Sequence, residues 1–213
     1  MSPGPEQSVE FYFDPGCPWT WITSRWVAEV ARARSFEVTW RTFSLWHRNE
    51  WSGNAIPEQY RSRLAAQFRG LRVIEAARTL QGEAAVGALY TEVGALIHHD
   101  GDAELVGLAD AIAAAGQPAN LIDAADDPSW DGVIDDSTRR GAELVGAEVG
   151  VPIVAIDGGR NRATFFGPVL SPAPTGEAAL RLWDAYLALG EFEGLFEIKR
   201  TRNVAPRFGP RPS

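Results

Sequence analysis

Cys17 is the only cysteine of the 213-residue chain. It falls within Phe11-Tyr12-Phe13-Asp14-Pro15-Gly16-Cys17-Pro18-Trp19-Thr20-Trp21, an apolar run that ends in a turn and delivers the thiol to the start of a helix. Pro18 suits the first helical position, where its fixed φ is pre-organised and its missing N–H costs nothing. A helix N-terminus offers unpaired N–H groups and a partial positive charge, so the sequence predicts a thiolate-favouring site with a lowered pKa. A dithiol redox protein carries its second cysteine three residues further on, and here that position is Thr20. A mixed disulfide on Cys17 therefore has no internal thiol to resolve it, and any redox cycle must be monothiol, closed by an outside thiol. Thr20 lies one turn beyond Cys17, where its hydroxyl can donate to the sulfur and favour the ionised form.

Other residues with chemical potential carry less. His98 and His99 stand beside Asp100, but no third ligand follows at useful spacing, so a helix-end role is expected rather than a metal site. Asp123, Asp126, Asp127, Asp131, Asp135 and Asp136 lack the ordered spacing and the glycine of a calcium loop, and read as caps and a solvated face. Trp21 and Trp26 are expected in the core. Trp19, next to the cysteine and off the core stripe of the helix, is the better candidate for stacking on a flat substrate.

Two strands and a helix must position the thiol. Val9 to Phe13 reads as a strand buried on both faces, Pro18 to about Arg34 as a helix, and Phe36 to Phe43 as an alternating strand. That order with short connections is a βαβ unit. From Pro57 to Val149 the chain is rich in alanine, leucine, glutamate and arginine, with helical spacing over about Pro57–Leu80, Glu83–Ile97, Ala103–Ala115 and Trp130–Val149 and a short helix near Ala119–Ala125. Sheet character returns at Val151 to Ile156, then a turn at Asp157-Gly158-Gly159 and a strand over Ala163 to Phe166, an expected hairpin. Thr175 to Leu189 closes the pattern as an amphipathic helix. The expected division is an α/β domain over 8–56 and 150–195, an all-helical insertion over 57–149, and a basic, proline-rich tail over 200–213 that is on the surface or disordered.

Composition excludes several function classes. The formal charge of −8 argues against nucleic acid or an anionic membrane as the main partner. The polar, breaker-rich start, Met1 to Gln7, has no secretory n-region or h-region, and no apolar run nears the roughly 20 residues of a membrane span. One cysteine suits a reducing, cytoplasmic compartment. No glycine-rich dinucleotide fingerprint is visible, and no metal, flavin or nicotinamide is expected.

Strand, Cys-Pro-x-x helix, strand, helical insertion, Val-Pro strand, hairpin and closing helix together resemble the thioredoxin fold in its DsbA-like form. In that fold a cis-proline faces the redox cysteine, and Val151-Pro152 occupies its place, so the resemblance implies that Pro18, Val151 and Pro152 position a thiol partner. Phe13-Asp14-Pro15 with Cys17-Pro18-Trp19, Trp21 to Trp26, Ser44-Leu45, Asn49-Glu50, Pro57 to Arg61, Phe166 to Ser171, Leu182-Trp183-Asp184 and Lys199 to Arg202 make the chain similar to the actinobacterial mycothiol-dependent nitroreductase family. That family's motif is Cys-Pro-Trp-Cys, and this chain reads Cys-Pro-Trp-Thr. The resemblance implies a cytoplasmic thiol-dependent oxidoreductase that uses mycothiol or glutathione as cosubstrate to reduce a small electrophilic or nitroaromatic-type molecule. It further implies catalytic roles for Cys17 and Thr20, and a substrate pocket containing Trp19, Asn49, Tyr60 and His98. Two alternatives stand beside it: a thiol-dependent transferase or isomerase of the kappa glutathione transferase or hydroxychromene-carboxylate isomerase type, and a small-molecule-binding module without turnover.

Overall fold

The computed structural model describes residues 8–51, 53, 56–158 and 161–212. The expected N-terminal segment, Gly159 of the hairpin turn and Ser213 lie outside the described residues.

Aromatic and β-branched residues bury β1 (Ser8–Phe13) at the centre of the sheet, where Val9, Phe11, Tyr12 and Phe13 are all buried. Around it the strand order is β2-β1-β3-β4, with β2 spanning Val38–Thr42, β3 Ile153–Gly158 and β4 Asn161–Phe166. β1 and β2 run parallel, joined by α1 (Pro18–Arg34). β3 pairs antiparallel with β1 and then with β4. This is a DsbA-like thioredoxin fold. The register explains the site. Tyr12 pairs with Ile153, so the chain leaving β1 at Asp14 passes beside the residues entering β3, Val151 and Pro152.

Large aromatics join the layers. Trp26 of α1 donates its indole N–H to the Ala179 carbonyl of α7 (Gly176–Gly190) at 2.9 Å, and its ring lies 5.5 Å from Trp183. On the other side Phe13 stacks on Tyr90 of α4 (Glu83–His98) at 3.9 Å. α3 (Glu58–Gln81) packs on α4 and on the 3-10 segment Ala119–Asp126, and both α3 and α4 contact β2.

Several elements depart from the sequence expectation for local reasons. Residues 45–51 form α2 (Leu45–Trp51), which has no buried face and hence no clear apolar period to betray it. The helix expected from Ala103 starts at Leu108, as α5 (Leu108–Ala114), because the Asp102 carboxylate accepts from the N–H groups of Val106 and Gly107 and Leu105 adopts φ 55°. The short helix after Pro118 is 3-10 rather than α. α6 (Asp131–Val145) stops at Gly146, which takes φ 107°. β3 continues through Asp157 and Gly158, residues expected in the turn.

The tail has no regular structure over 200–212, yet it is tied down. Phe208 packs against the His98 and His99 rings, the Ser171 hydroxyl accepts from the Arg207 N–H, and Arg211 pairs with Asp100 at 3.1 Å. No helix among the described residues is long and apolar enough to cross a membrane.

Candidate active site

The turn between β1 and α1 is built by Asp14. Its backbone carbonyl accepts from the Cys17 N–H at 3.1 Å, and its carboxylate accepts from the N–H groups of Gly16 and Leu45, both at 2.9 Å. The Asp14 side chain thus fastens the cysteine turn to the start of α2. Cys17 takes an extended N-cap conformation, and its carbonyl accepts the first helical bond, from the Trp21 N–H at 3.0 Å. The Val151–Pro152 peptide is cis. The Cys17 thiol faces it and donates to the Val151 carbonyl at 3.8 Å.

The thiol is 8% exposed and belongs to a small apolar cluster with Tyr12, Phe43, Ala142, Val151 and Ile153, with Trp19 and Leu45 packed against it. This burial decides its titration. Desolvation pushes the Cys17 pKa above its usual value, outweighing the Thr20 hydroxyl, the Thr20 and Trp19 backbone N–H groups, which pull it down. The lowered pKa expected from the helix N-terminus is therefore corrected: the donors are present, but a thiolate in this closed site loses more hydration than they return. Thr20 is wholly buried, and its hydroxyl completes no hydrogen bond with the described residues. An unpaired buried hydroxyl beside a thiol is a donor held ready for the ionised form.

Of the residues expected at the site, the structure brings together Cys17, Pro18, Trp19, Thr20, Val151 and Pro152. Trp19 is partly buried and lies under the Arg202 guanidinium, 5.0 Å from it, so the tail reaches the site. His98 acts one step behind. Its Nε2–H donates to the Pro15 carbonyl at 2.9 Å, its ring stacks on Trp21, and burial lowers its pKa to about 4, so it holds the turn as a neutral ring. Asn49 lies on α2, where its carbonyl accepts from Arg48, and Tyr60 is 44% exposed on α3; no described contact joins either to Cys17. The His98–His99 pair is not part of any metal-binding group among the described residues. Two clefts among the described residues lie elsewhere: one between α2, α3 and α6, about 330 Å³, and one along α1, about 350 Å³; neither is lined by Cys17.

Two residues escaped the sequence reading. Burial of the Asp14 carboxyl raises its pKa to about 6, against the two N–H groups that favour its charge. Gln67 of α3 is 5% exposed, and its amide presses on the turn so closely that a Cβ at Gly16 would meet Gln67 Cδ at 2.0 Å. Any side chain there would have to displace the Gln67 amide. Asp14 is visible in the motif as a carboxylate inside an apolar run. Gln67 offers no signal beyond a polar residue on the buried face of a helix.

A family model described as the mycothiol-dependent nitroreductase Rv2466c matches residues 16–200. Rv2286c of Mycobacterium tuberculosis is 31% identical over 204 residues, which cover 93% of this chain and 84% of that one. Among solved structures, the cytosolic disulfide reductase DsbM of Pseudomonas aeruginosa superposes with a TM-score of 0.56 at 18% identity, covering 85% of this chain and 99% of that one. A second structure of DsbM, with GSH, gives a TM-score of 0.53, also at 18% identity, covering 85% and 96%.

Proposed function

The chain belongs to the Rv2466c-like family of mycothiol-dependent nitroreductases and is a thiol-dependent oxidoreductase; from that premise we propose that it works as a monothiol enzyme with Cys17 as nucleophile. The Cys17 thiolate adds to an electrophilic two-electron acceptor, a nitroaromatic in the family's chemistry. A low-molecular-weight thiolate, mycothiol or glutathione, then attacks Sγ. The S–substrate bond breaks, its electron pair leaves with the reduced substrate, and Cys17 becomes a mixed disulfide. A second thiol attacks the small-molecule sulfur of that disulfide, releasing the oxidised thiol and restoring Cys17. For a nitro group the balance is ArNO2 + 2 RSH → ArNO + RSSR + H2O.

In this reading Thr20 donates to the thiolate, and the Val151 backbone beside Pro152 pairs with the incoming thiol in strand fashion. Trp19 stacks on the flat substrate. By the family resemblance Asn49 and Tyr60 join Trp19 in shaping the substrate pocket. The observation that carries the reading is the contact of the sole cysteine with the Val151 carbonyl, with a buried, unpaired Thr20 hydroxyl beside the sulfur. A thiol-coupled assay with mycothiol and a model nitroaromatic tests it. The expected result is oxidation of two thiols per nitro group reduced to nitroso, abolished in Cys17→Ser. Full turnover in Cys17→Ser would overturn the nucleophile role and leave activation of a bound thiol.

A further inference from the structure

The cleft along α1 holds a cation with no counter-ion among the described residues. Arg25 is partly buried, with its guanidinium 4.1 Å above the Trp21 ring, and donates to the Thr91 hydroxyl at 3.1 Å and the Ser24 hydroxyl at 3.2 Å. Neither acceptor is charged, and no carboxylate pairs with Arg25 among the described residues. Glu29, one turn along the same helix face and the natural i,i+4 partner, also lines the cleft, but its carboxylate accepts from the Gly176 N–H and does not pair with Arg25. Asp100 and Glu92 are taken by Arg211. Burial lowers the Arg25 pKa, the mark of a charge stripped of water with no anion in return.

A second donor faces the same space. His99 Nε2 accepts from the Trp21 indole N–H at 3.2 Å, so the neutral ring carries its proton on Nδ1, and no acceptor for that N–H occurs among the described residues. Burial, then Arg211 and Arg25, hold the His99 pKa below its usual value, Asp100 opposing. Arg32 lines the same cleft, and no carboxylate pairs with it among the described residues. Glu29, Thr175 and Arg211 also line the cleft; the remaining wall is largely apolar, from Trp21 and Ile22 on α1 to Phe208 and Pro210 of the tail, and the volume of about 350 Å³ is of the order that small-molecule sites use.

We propose that this cleft binds a small organic acid, an aromatic or similarly flat carboxylate. Its carboxylate lies on the free edge of Arg25 and on His99 Nδ1–H, and its apolar body rests between α1 and Phe208. Two unmatched donors, one of them a fixed guanidinium, suit a planar carboxylate, and a hydrophobic wall beside them selects against a bare anion. In a chain of net charge −8 such a pocket is a local exception to the overall repulsion of anions. The site is separate from Cys17, and its occupancy does not depend on the redox reading.

The test uses the full chain with benzoate, neutral benzamide and inorganic phosphate, read by calorimetry and by NMR titration of the His99 ring. Benzoate should bind saturably and raise the His99 pKa, since it sets a negative charge beside a ring now surrounded by arginines. Arg25→Gln should weaken benzoate binding by about tenfold or more, the loss of a charge-assisted hydrogen bond. Benzamide should bind far more weakly than benzoate. Equal binding of benzamide, preference for phosphate, or a His99 pKa unmoved by saturating benzoate would each overturn the proposal, and the last needs no variant to fold.

Discussion

Thr20→Val should make the protein more stable and less reactive at once. Valine keeps the shape of the buried side chain and deletes only its hydroxyl, for which no hydrogen-bond partner occurs among the described residues. An unpaired buried hydroxyl costs about 1–3 kcal/mol, so urea unfolding should show the variant more stable by an amount in that range. The thiolate, by contrast, loses a donor. Hydrogen bonds to charged groups contribute about 1.5–3 kcal/mol, which lowers the thiolate population at fixed pH by about ten- to a hundredfold. Alkylation by iodoacetamide at neutral pH follows that population, because the thiolate is the nucleophile. Thr20→Ser, which keeps the hydroxyl, should alkylate near the rate of the parent. A Thr20→Val protein that is less stable and alkylates at the parental rate would refute the argument, since the hydroxyl would then be bonded within the fold and idle at the sulfur.

The acid limb of stability carries a second prediction. Asp14 has its pKa raised from 3.8 to about 6, so it opposes folding as pH rises through that window, by about 3 kcal/mol once ionised. His98 has its pKa lowered from 6.5 to about 4, so its support is present above 6.5 and is lost as pH falls through 4. The two slopes oppose each other, so stability should be nearly flat from about pH 4 to 6.5; Asp14→Asn should make it rise with pH and His98→Gln make it fall, measured by urea denaturation across that range. Gly94→Ala would place a Cβ 2.2 Å from the Trp21 ring, which also packs against His98 and Arg25. Overpacking of about 1–3 kcal/mol there outweighs alanine's helical advantage of about 1, whereas Gly132→Ala, with open space around it, should stabilise the chain in the same denaturation assay. Gln67→Ala should thin the roof over the Gly16–Cys17 turn and speed Cys17 alkylation severalfold; an unchanged rate would show that access runs by another route.

The parts of this fold that repeat with a period were readable in the sequence. Trp21, Ile22, Trp26 and Val30 mark the buried stripe of α1, whose observed span matches the expected one, and the apolar run of β1 marks a central strand. What was not readable depends on side chains meeting across long separations. The start of α5 is set by Asp102 capping N–H groups outside any periodic pattern, and α2 has no buried face to give it one. At the site, the turn, the proline and the threonine announced themselves by spacing. The thiol's pKa did not, because it follows from the apolar shell that Phe43, Ala142 and Val151 close around Cys17 from three distant segments. Local sequence predicted the donors at the sulfur; burial, a tertiary quantity, decided the outcome.

The central claim is that Cys17 alone carries the adduct and an outside thiol removes it. Intact-mass analysis after incubation with mycothiol disulfide tests it directly. The account predicts one mycothiol joined to the parent protein by a disulfide, none on Cys17→Ser, and its complete release by added mycothiol with formation of mycothiol disulfide. A parent protein that stays unmodified under conditions where a small thiol exchanges, or an adduct that mycothiol does not remove, would contradict it.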